Sequence, residues 1–591
     1  MTRIQSVRAM AMIAGTVVLL GCEQTKEKDA ANTNTNAQQQ TSATEYGATP
    51  EALPAESPAP EYKAFRDQSS AVSDMEGEAT ANSAAPPPAN SGGFGQAGIG
   101  SQLAPSPAQT VVAPPQNTEN YLPIDANPVK QVAAAPVSTF SVDVDSGSYA
   151  NVRRFIMNGQ RPPEDAVRVE EMINYFAYDY PAADDLATPF RTTTRIVKTP
   201  WNPDTYLLEI GIKGYQPQGE RPPANLVFLI DVSGSMSDAD KLPLLKAGMR
   251  MLADQLKAED KVSIVVYAGA AGVVLEPTSG NDKAKIDAAL DQLQAGGSTA
   301  GGEGIQLAYA MAKKGRIEGG INRIILATDG DFNVGTTDIH ELKKMIEENR
   351  KSGIALTTLG FGEGNYNDAL MEQVADVGNG NYGYVDSLKE AKRLLVDQLD
   401  ATIQTIAKDV KVQVEFNPAV VAEYRLIGYE NRALKREDFN NDQKDAGEIG
   451  AGHAVTALYE IALKGSNGLV VDPLRYGNES APTVEPNVKP EEFAFLRLRY
   501  KEPDGDVSKL IETPLATARL DKPESMNAEL DFAAAVAAFG QKLRGGDYLK
   551  NYSYDQIAEL ANAARGSDED GTRTEFIHLV ELAKALGSSG G

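Results

Sequence analysis

The chain has 591 residues, enough for about three or four folded units at roughly 150 residues each, and 42% of them are hydrophobic, enough to build real cores. With 56 Lys and Arg against 82 Asp and Glu the net charge is −26, which argues against a phosphate-tracking basic surface, so no nucleic-acid partner is expected. The single cysteine, Cys22, and three histidines, His340, His453 and His578, exclude disulfide frameworks, four-cysteine zinc sites, iron–sulfur clusters and HExxH zinc sites. What remains for any site is oxygen chemistry.

Residues 1–22 read as an export signal, with Arg3 and Arg8 in the positive region and an apolar run at 9–20 interrupted by Gly15 and Thr16. The run is shorter than the roughly 20 apolar residues of a bilayer span. It ends in LLGC at 19–22, which resembles the bacterial lipobox, where the signal is cut before a cysteine whose thiol is then lipidated. An ordinary secretory signal is the alternative, but Cys22 is the one thiol of the chain and sits at the cleavage position. Acyl chains contribute ~0.8 kcal/mol per buried CH₂, so a diacylated or triacylated Cys22 would be a stable membrane anchor. Glu23 follows it, in place of the Asp that often retains lipoproteins in the inner membrane, which points to the outer membrane of the cell envelope. Residues 23–117 are rich in Ala, Pro, Ser, Thr, Gln, Asn and Gly and are expected to form a disordered tether. Its mean reach would be about 50–60 Å. Gly93, Gly95 and Gly98 match GxGxxG, but the pattern has no strand before it and no helix after it, so no dinucleotide site is expected.

Residues 118–223 read as an N-terminal region that opens with a strand, a turn and two helices (138–160 and 168–181) and continues into alternating strands at 192–200 and 205–215. From 224 to 406 the pattern changes to buried strands alternating with amphipathic helices, as in a doubly wound, mostly parallel sheet. The strands are expected at 225–231, 261–268, 323–329 and 354–362, with a short antiparallel edge near Val273. Helices are expected at 241–256, 304–314 and 339–351, with a long closing helix at 387–406.

In such sheets ligands sit beyond the carboxyl ends of the strands, and three loops emerge there. DVSGSM places Asp231, Ser233 and Ser235 at alternate positions, with Gly234 allowing a tight turn; GGSTAGG presents Thr299; ATDGD ends a strand on Asp329. Two carboxylates and three hydroxyls make a hard, oxygen-only cage suited to Mg²⁺, Mn²⁺ or Ca²⁺.

This pattern, DxSxS with a downstream Thr and a downstream TDG Asp, resembles the metal-ion-dependent adhesion site of von Willebrand factor type A domains, a Rossmann-like α/β fold. The resemblance implies that Asp231, Ser233, Ser235, Thr299 and Asp329 are ligands of a divalent cation, Mg²⁺ first, with Mn²⁺ or Ca²⁺ as alternatives. It also implies that the hydroxyls act as direct ligands in turn with water. Two formal negatives leave the cation electrophilic enough for one more carboxylate, supplied by a protein partner. A structural metal and a merely serine-rich turn are the alternatives. At 143–148, DVDSGS offers Asp143, Asp145 and Ser148, but Asp145 stands where the adhesion site needs a serine, so this segment reads as a strand end and the N-cap of a helix at 149–157. The 140–155 and 169–176 segments, together with the lipobox and tether, are similar to the YfbK-type family of bacterial von Willebrand A lipoproteins.

Residues 407–591 hold further alternating strands at 410–429, 453–463, 493–501 and near Leu510, then helices at 528–543, 554–564 and 573–586. Neither flank makes a convincing sheet alone, so the two are expected to pair into one antiparallel β-sandwich with the α/β unit inserted between them. The loop at 438–448 carries Asp438, Asn440, Asp442, Asp445 and Glu448, but Gln443 and Ile449 break the EF-hand pattern, and a solvated acidic loop is expected. Tyr548, Tyr552 and Tyr554 read as core rather than as a partner surface.

Enzyme motifs fail. Ser233 stands where a haloacid-dehalogenase phosphatase needs its second Asp, and the chain has no GxxxxGK[ST] and no GxSxG. No catalytic residues are assigned. The expected function is a membrane-anchored envelope protein that binds a partner through the metal. The alternatives are a metal-independent envelope scaffold and a metal-dependent envelope hydrolase.

Overall fold

The computed structural model describes residues 118–588 except 143, 298–300, 331–338, 473–488, 522 and 524–526. The export signal with Cys22, the 23–117 tether with Gly93, Gly95 and Gly98, Asp143 and Thr299 therefore lie outside the described residues.

In the middle region six strands form one sheet, ordered Tyr382–Val385, Ala355–Phe361, Ile321–Thr328, Ala224–Asp231, Lys261–Tyr267 and Ala271–Ser279. The first five are mutually parallel, and Ala271–Ser279 closes the edge antiparallel. Ala224–Asp231 is buried along its whole length because both of its edges and both of its faces are covered. Leu226, Phe228 and Ile230 enter one apolar cluster with Leu242, Leu245 and Met249. Val227 and Leu229 enter another with Ile305, Tyr309 and Leu370. A strand covered on both faces has no polar side to alternate with, which is why this stretch reads as a continuous apolar run.

Three elements of this unit are absent from the sequence reading: the helices Lys283–Asp291 and Asp368–Val377, and the four-residue strand Tyr382–Val385. YGYV is too short to carry a period, and only pairing with Ala355–Phe361 makes it a strand. The expected single closing helix at 387–406 is corrected. It is three pieces: Leu388–Lys392, a π turn at Arg393–Asp397, and Leu399–Ile403. Leu395, Leu399 and Ile403 still reach the apolar cluster, and Gly248 lets the segment approach closely, since a β-carbon there would meet Ala391 and Leu395 at 3.1 Å. The chain then turns directly into the strand Thr405–Phe416, whose first residue pairs with Gly450, so residue 406 lies inside a strand.

Two antiparallel sheets draw strands from both sides of this unit. One runs Lys130–Gln131, Val421–Ile427, Ala454–Leu463, Asn202–Gly214, Phe190–Thr199; the other runs Ala433–Leu434, Val137–Ser141, Thr405–Phe416, Glu492–Lys501, Ser508–Ala516. Leu208, Ile210 and Ile212 of the first share an apolar cluster with Val410, Val412, Val414 and Leu496 of the second. Leu207, one residue from Leu208, points the other way into a cluster with the C-terminal helices, as the two-residue period of a strand dictates.

Those helices are Ala528–Leu543, Tyr554–Ala563 and Thr572–Ser588. The first is apolar nearly all round because it is buried nearly all round, in one apolar cluster with Met172, Phe176, Ile557 and Phe576; its Phe532 ring meets both Phe176 and Phe576, at 5.0 and 5.5 Å. Tyr552 and Tyr554 pack half-buried on this cluster, and Tyr548 lies under the Arg425 guanidinium at 4.0 Å. Among the described residues no helix is long and apolar enough to cross a membrane.

Candidate functional site

Asp231 is the last residue of the central strand and Asp329 follows the end of the adjacent parallel strand Ile321–Thr328, so the sheet itself brings the two carboxylates to one edge. Both are fully buried. Asp231 is held on each oxygen: Oδ1 accepts the Ser233 N–H at 2.8 Å, and Oδ2 accepts the Thr328 hydroxyl at 3.0 Å and the Tyr267 hydroxyl at 3.2 Å. Burial pushes the Asp231 carboxyl up to about 6, and the nearby Asp329 carboxylate adds to the rise. Burial likewise holds the Tyr267 phenol far above its ordinary value, so it stays a donor.

After Asp231 the chain enters a short 3₁₀ turn, Gly234–Ser237. Gly234 has no positive φ there, so the turn does not depend on glycine's conformational freedom, contrary to expectation. Its N–H donates instead to Gly297 O at 3.1 Å, while Gly296 N donates to Val232 O at 2.7 Å. These bonds stitch the loop that leads to Thr299 onto the DVSGS loop. Gly330, by contrast, needs its freedom: its φ is +90° and a β-carbon would overlap the backbone of Asn367.

The Ser233 and Ser235 hydroxyl oxygens lie 3.0 Å apart. Adjacent vertices of an octahedron with oxygens at about 2.0–2.1 Å from Mg²⁺ are separated by roughly 2.8–3.0 Å. The hydroxyl pair, flanked by two buried carboxylates, thus fits a small hard cation. Among the described residues no group of three or more His, Cys, Asp or Glu side chains is placed to hold a metal. Of the five sequence-derived ligands the structure brings Asp231, Ser233, Ser235 and Asp329 to this edge.

Four participants escaped the sequence reading. Thr328 and Tyr267 orient Asp231, and Lys241 donates from Nζ to Asp329 Oδ2 at 3.0 Å and to Asn365 Oδ1 at 3.4 Å. Thr328 adjoins Asp329 and could have been found as a strand-end hydroxyl. Nothing in the spacing of Lys241 or Asn365 announces them.

The other acidic segments have local partners. Asp145 accepts Tyr382 N at 2.8 Å and pairs with Arg432 at 3.2 Å, which makes it a tie between segments. The expected N-cap is corrected: the helix runs Gly147–Met157 and Ser146 makes no side-chain cap bond, because its hydroxyl accepts from Arg393 instead. In the 438–448 loop, Asp442 meets Arg499 at 2.8 Å, Asp445 meets Arg350 and Glu448 meets Thr405 at 3.2 Å.

Comparison with known proteins bears on most of the chain. The model for "von Willebrand factor type A domain" matches residues 225–398, that for "von Willebrand factor" matches 115–209, and that for "Uncharacterized protein YfbK, C-terminal" matches 401–586. The chain is 48% identical to YfbK of Escherichia coli (strain K12) over 476 residues, 79% of this chain and 82% of that protein. It is 32% identical to sll0103 of Synechocystis sp. over 171 residues, 29% of this chain and 40% of that protein. A solved von Willebrand factor type A protein from Catenulispora acidiphila aligns with 64% of this chain and 88% of its own, at 16% identity and a TM-score of 0.36. The α/β sheet that carries Asp231 and Asp329 is therefore a von Willebrand factor type A domain, and the chain belongs to the YfbK family.

Proposed function

We propose that the protein binds a protein partner through a divalent cation, Mg²⁺ foremost, held by Asp231, Ser233, Ser235, Thr299 and Asp329, with a carboxylate of the partner completing the shell. Von Willebrand factor type A domains mediate protein–protein interaction in general. The observation that carries the finer reading is the hydroxyl pair at octahedral spacing beside two buried carboxylates. Cation binding would relieve the cost of keeping Asp231 ionised in a buried place and leave the ion one ligand short.

The flanking antiparallel sheets, which share one apolar cluster, would form a sandwich into which the domain is inserted, fixing the direction in which the site faces. Cys22 would be lipidated and anchor the protein in the cell envelope, at the outer rather than the inner membrane, with residues 23–117 as a tether. The role is binding rather than catalysis. Metal-dependent turnover of phosphoesters or peptides would overturn that part.

Calorimetric titration of the full-length protein in detergent with Mg²⁺ or Mn²⁺ should give a binding heat that Asp231→Ala abolishes; equal heats from both proteins would sink the site. Crosslinked capture of partners should fail in chelator. Capture that survives both chelator and Asp231→Ala would assign the interaction to the flanking sheets and helices instead. Replacement of Cys22 by serine should move the protein from the membrane pellet to the soluble fraction of lysed cells, and an unchanged distribution would refute the lipid anchor.

A further inference from the structure

Lys241 is an unusual residue to find where a cation is expected. Its side chain is only 5% exposed. The root is fixed at the start of the helix Leu242–Gln255, where Lys241 N donates to Asp238 O at 3.1 Å and Lys241 O accepts from Leu245 N at 2.9 Å. The stem lies over Gly362, where a β-carbon would overlap it, so the close passage depends on that glycine. The ammonium is left between Asp329 Oδ2 at 3.0 Å and Asn365 Oδ1 at 3.4 Å. A strongly hydrated ammonium is seldom buried without a task, and here it stands against a carboxylate assigned to the metal.

We propose that Lys241 is a built-in counter-cation that holds down the site's affinity for a divalent ion, so that the ion is retained firmly only when a partner's carboxylate completes its shell. The inference rests on the adhesion-site reading above. Asp231 and Asp329 supply two negative charges and Lys241 returns one positive charge at the site. A divalent ion bound there keeps more of its own charge to offer an incoming acid and is itself held less tightly. A lysine that merely positioned Asp329 would have the opposite effect when removed, because the loosened carboxylate would bind metal more weakly.

The sign of the change is the test. Mg²⁺ and Mn²⁺ alone are titrated calorimetrically into the full-length protein in detergent, comparing wild type with Lys241→Met, which keeps length without charge, and Lys241→Arg, which keeps charge. The methionine variant should bind roughly tenfold tighter, the low end of what one charge within about 4–6 Å does to a neighbouring ionisation equilibrium. The arginine variant should stay within about threefold of wild type, since its charge is unchanged. Equal or weaker binding by Lys241→Met, with wild type binding, overturns the counter-cation. Binding by Lys241→Met alone supports it. If neither protein binds either ion, the adhesion-site reading itself falls and takes this inference with it. Thermal melts by circular dichroism establish folding; should Lys241→Met fail to fold, Lys241→Gln, which keeps a donor for Asp329 without the charge, is read in the same way.

Discussion

Replacing Arg168 by methionine is expected to lower stability by about 3–5 kcal/mol, the effect of removing one partner from a buried ionic cluster. Arg168 is 1% exposed and joins the helix Val169–Asn174 to the helix Asp368–Val377 of the von Willebrand factor type A domain. Its guanidinium contacts Glu171 and grips Asp368 with both terminal nitrogens, at 2.6 and 3.1 Å, with Glu372 at 3.9 Å. The ring of Tyr382 lies 5.6 Å away. Methionine fills much of the volume and satisfies none of the charge. Glu372 would keep Arg432 at 3.2 Å, but Glu171 and Asp368 would be left buried without their counter-ion. Urea denaturation of the variant should show the loss in its midpoint, and Arg168→Met combined with Asp368→Asn should recover part of it by removing one stranded charge. A loss below about 1 kcal/mol would mean that the cluster is worth no more than exposed ion pairs.

Asp231→Asn is expected to stabilise the protein in chelator while destroying the proposed metal site. The Asp231 carboxyl, pushed by burial from the ordinary 3.8 up to about 6, binds its proton more tightly in the folded chain than in the unfolded one. Its contribution to stability is therefore fully present below about pH 3.8 and is lost as pH rises through about 6. At pH 7.5 without metal, the ionised carboxylate costs about 2–3 kcal/mol, because each tenfold gain in proton affinity on folding corresponds to about 1.4 kcal/mol. Asparagine keeps one acceptor for the Ser233 N–H, and its amide can donate to the Thr328 and Tyr267 hydroxyls, which accept as readily as they donate. The variant should thus melt above wild type in chelator at pH 7.5, with the gap closing towards pH 4, and added Mg²⁺ should raise the melting temperature of wild type alone. A gap that did not change with pH would refute the buried-carboxylate account.

The site and the fold were not equally legible. Asp231, Ser233, Ser235 and Asp329 could be placed from the sequence because Asp231 and Asp329 sit at or next to the end of a strand whose apolar run is unmistakable, Ser233 and Ser235 lie in the turn that follows the first of these, and the parallel order of those strands sends their ends to one edge. Lys241 could not, because it reaches Asp329 across 88 positions by way of a helix start whose direction depends on how Leu242, Leu245 and Met249 pack. The closing segment misled for a related reason. Its leucines keep a helical period through Ile403, but the pairing of Thr405 with Gly450 takes over where the period would still allow helix.

Composition and periodicity alone determined that this chain builds an alternating α/β unit between strand-rich flanks, and that its cysteine and histidine are too few for a four-cysteine zinc or iron–sulfur site. Both follow from local facts: apolar runs must be buried, and one thiol with three scattered imidazoles cannot assemble a soft-metal site. Tertiary structure alone decided which charges meet. It set Lys241 against Asp329 and Arg168 among Glu171, Asp368 and Glu372, and it joined Asn202–Gly214 to Ala454–Leu463, which lie on either side of the von Willebrand factor type A domain in sequence. Such long-range pairings leave no periodic trace, because each depends on which surfaces remain uncovered once the apolar faces have found one another.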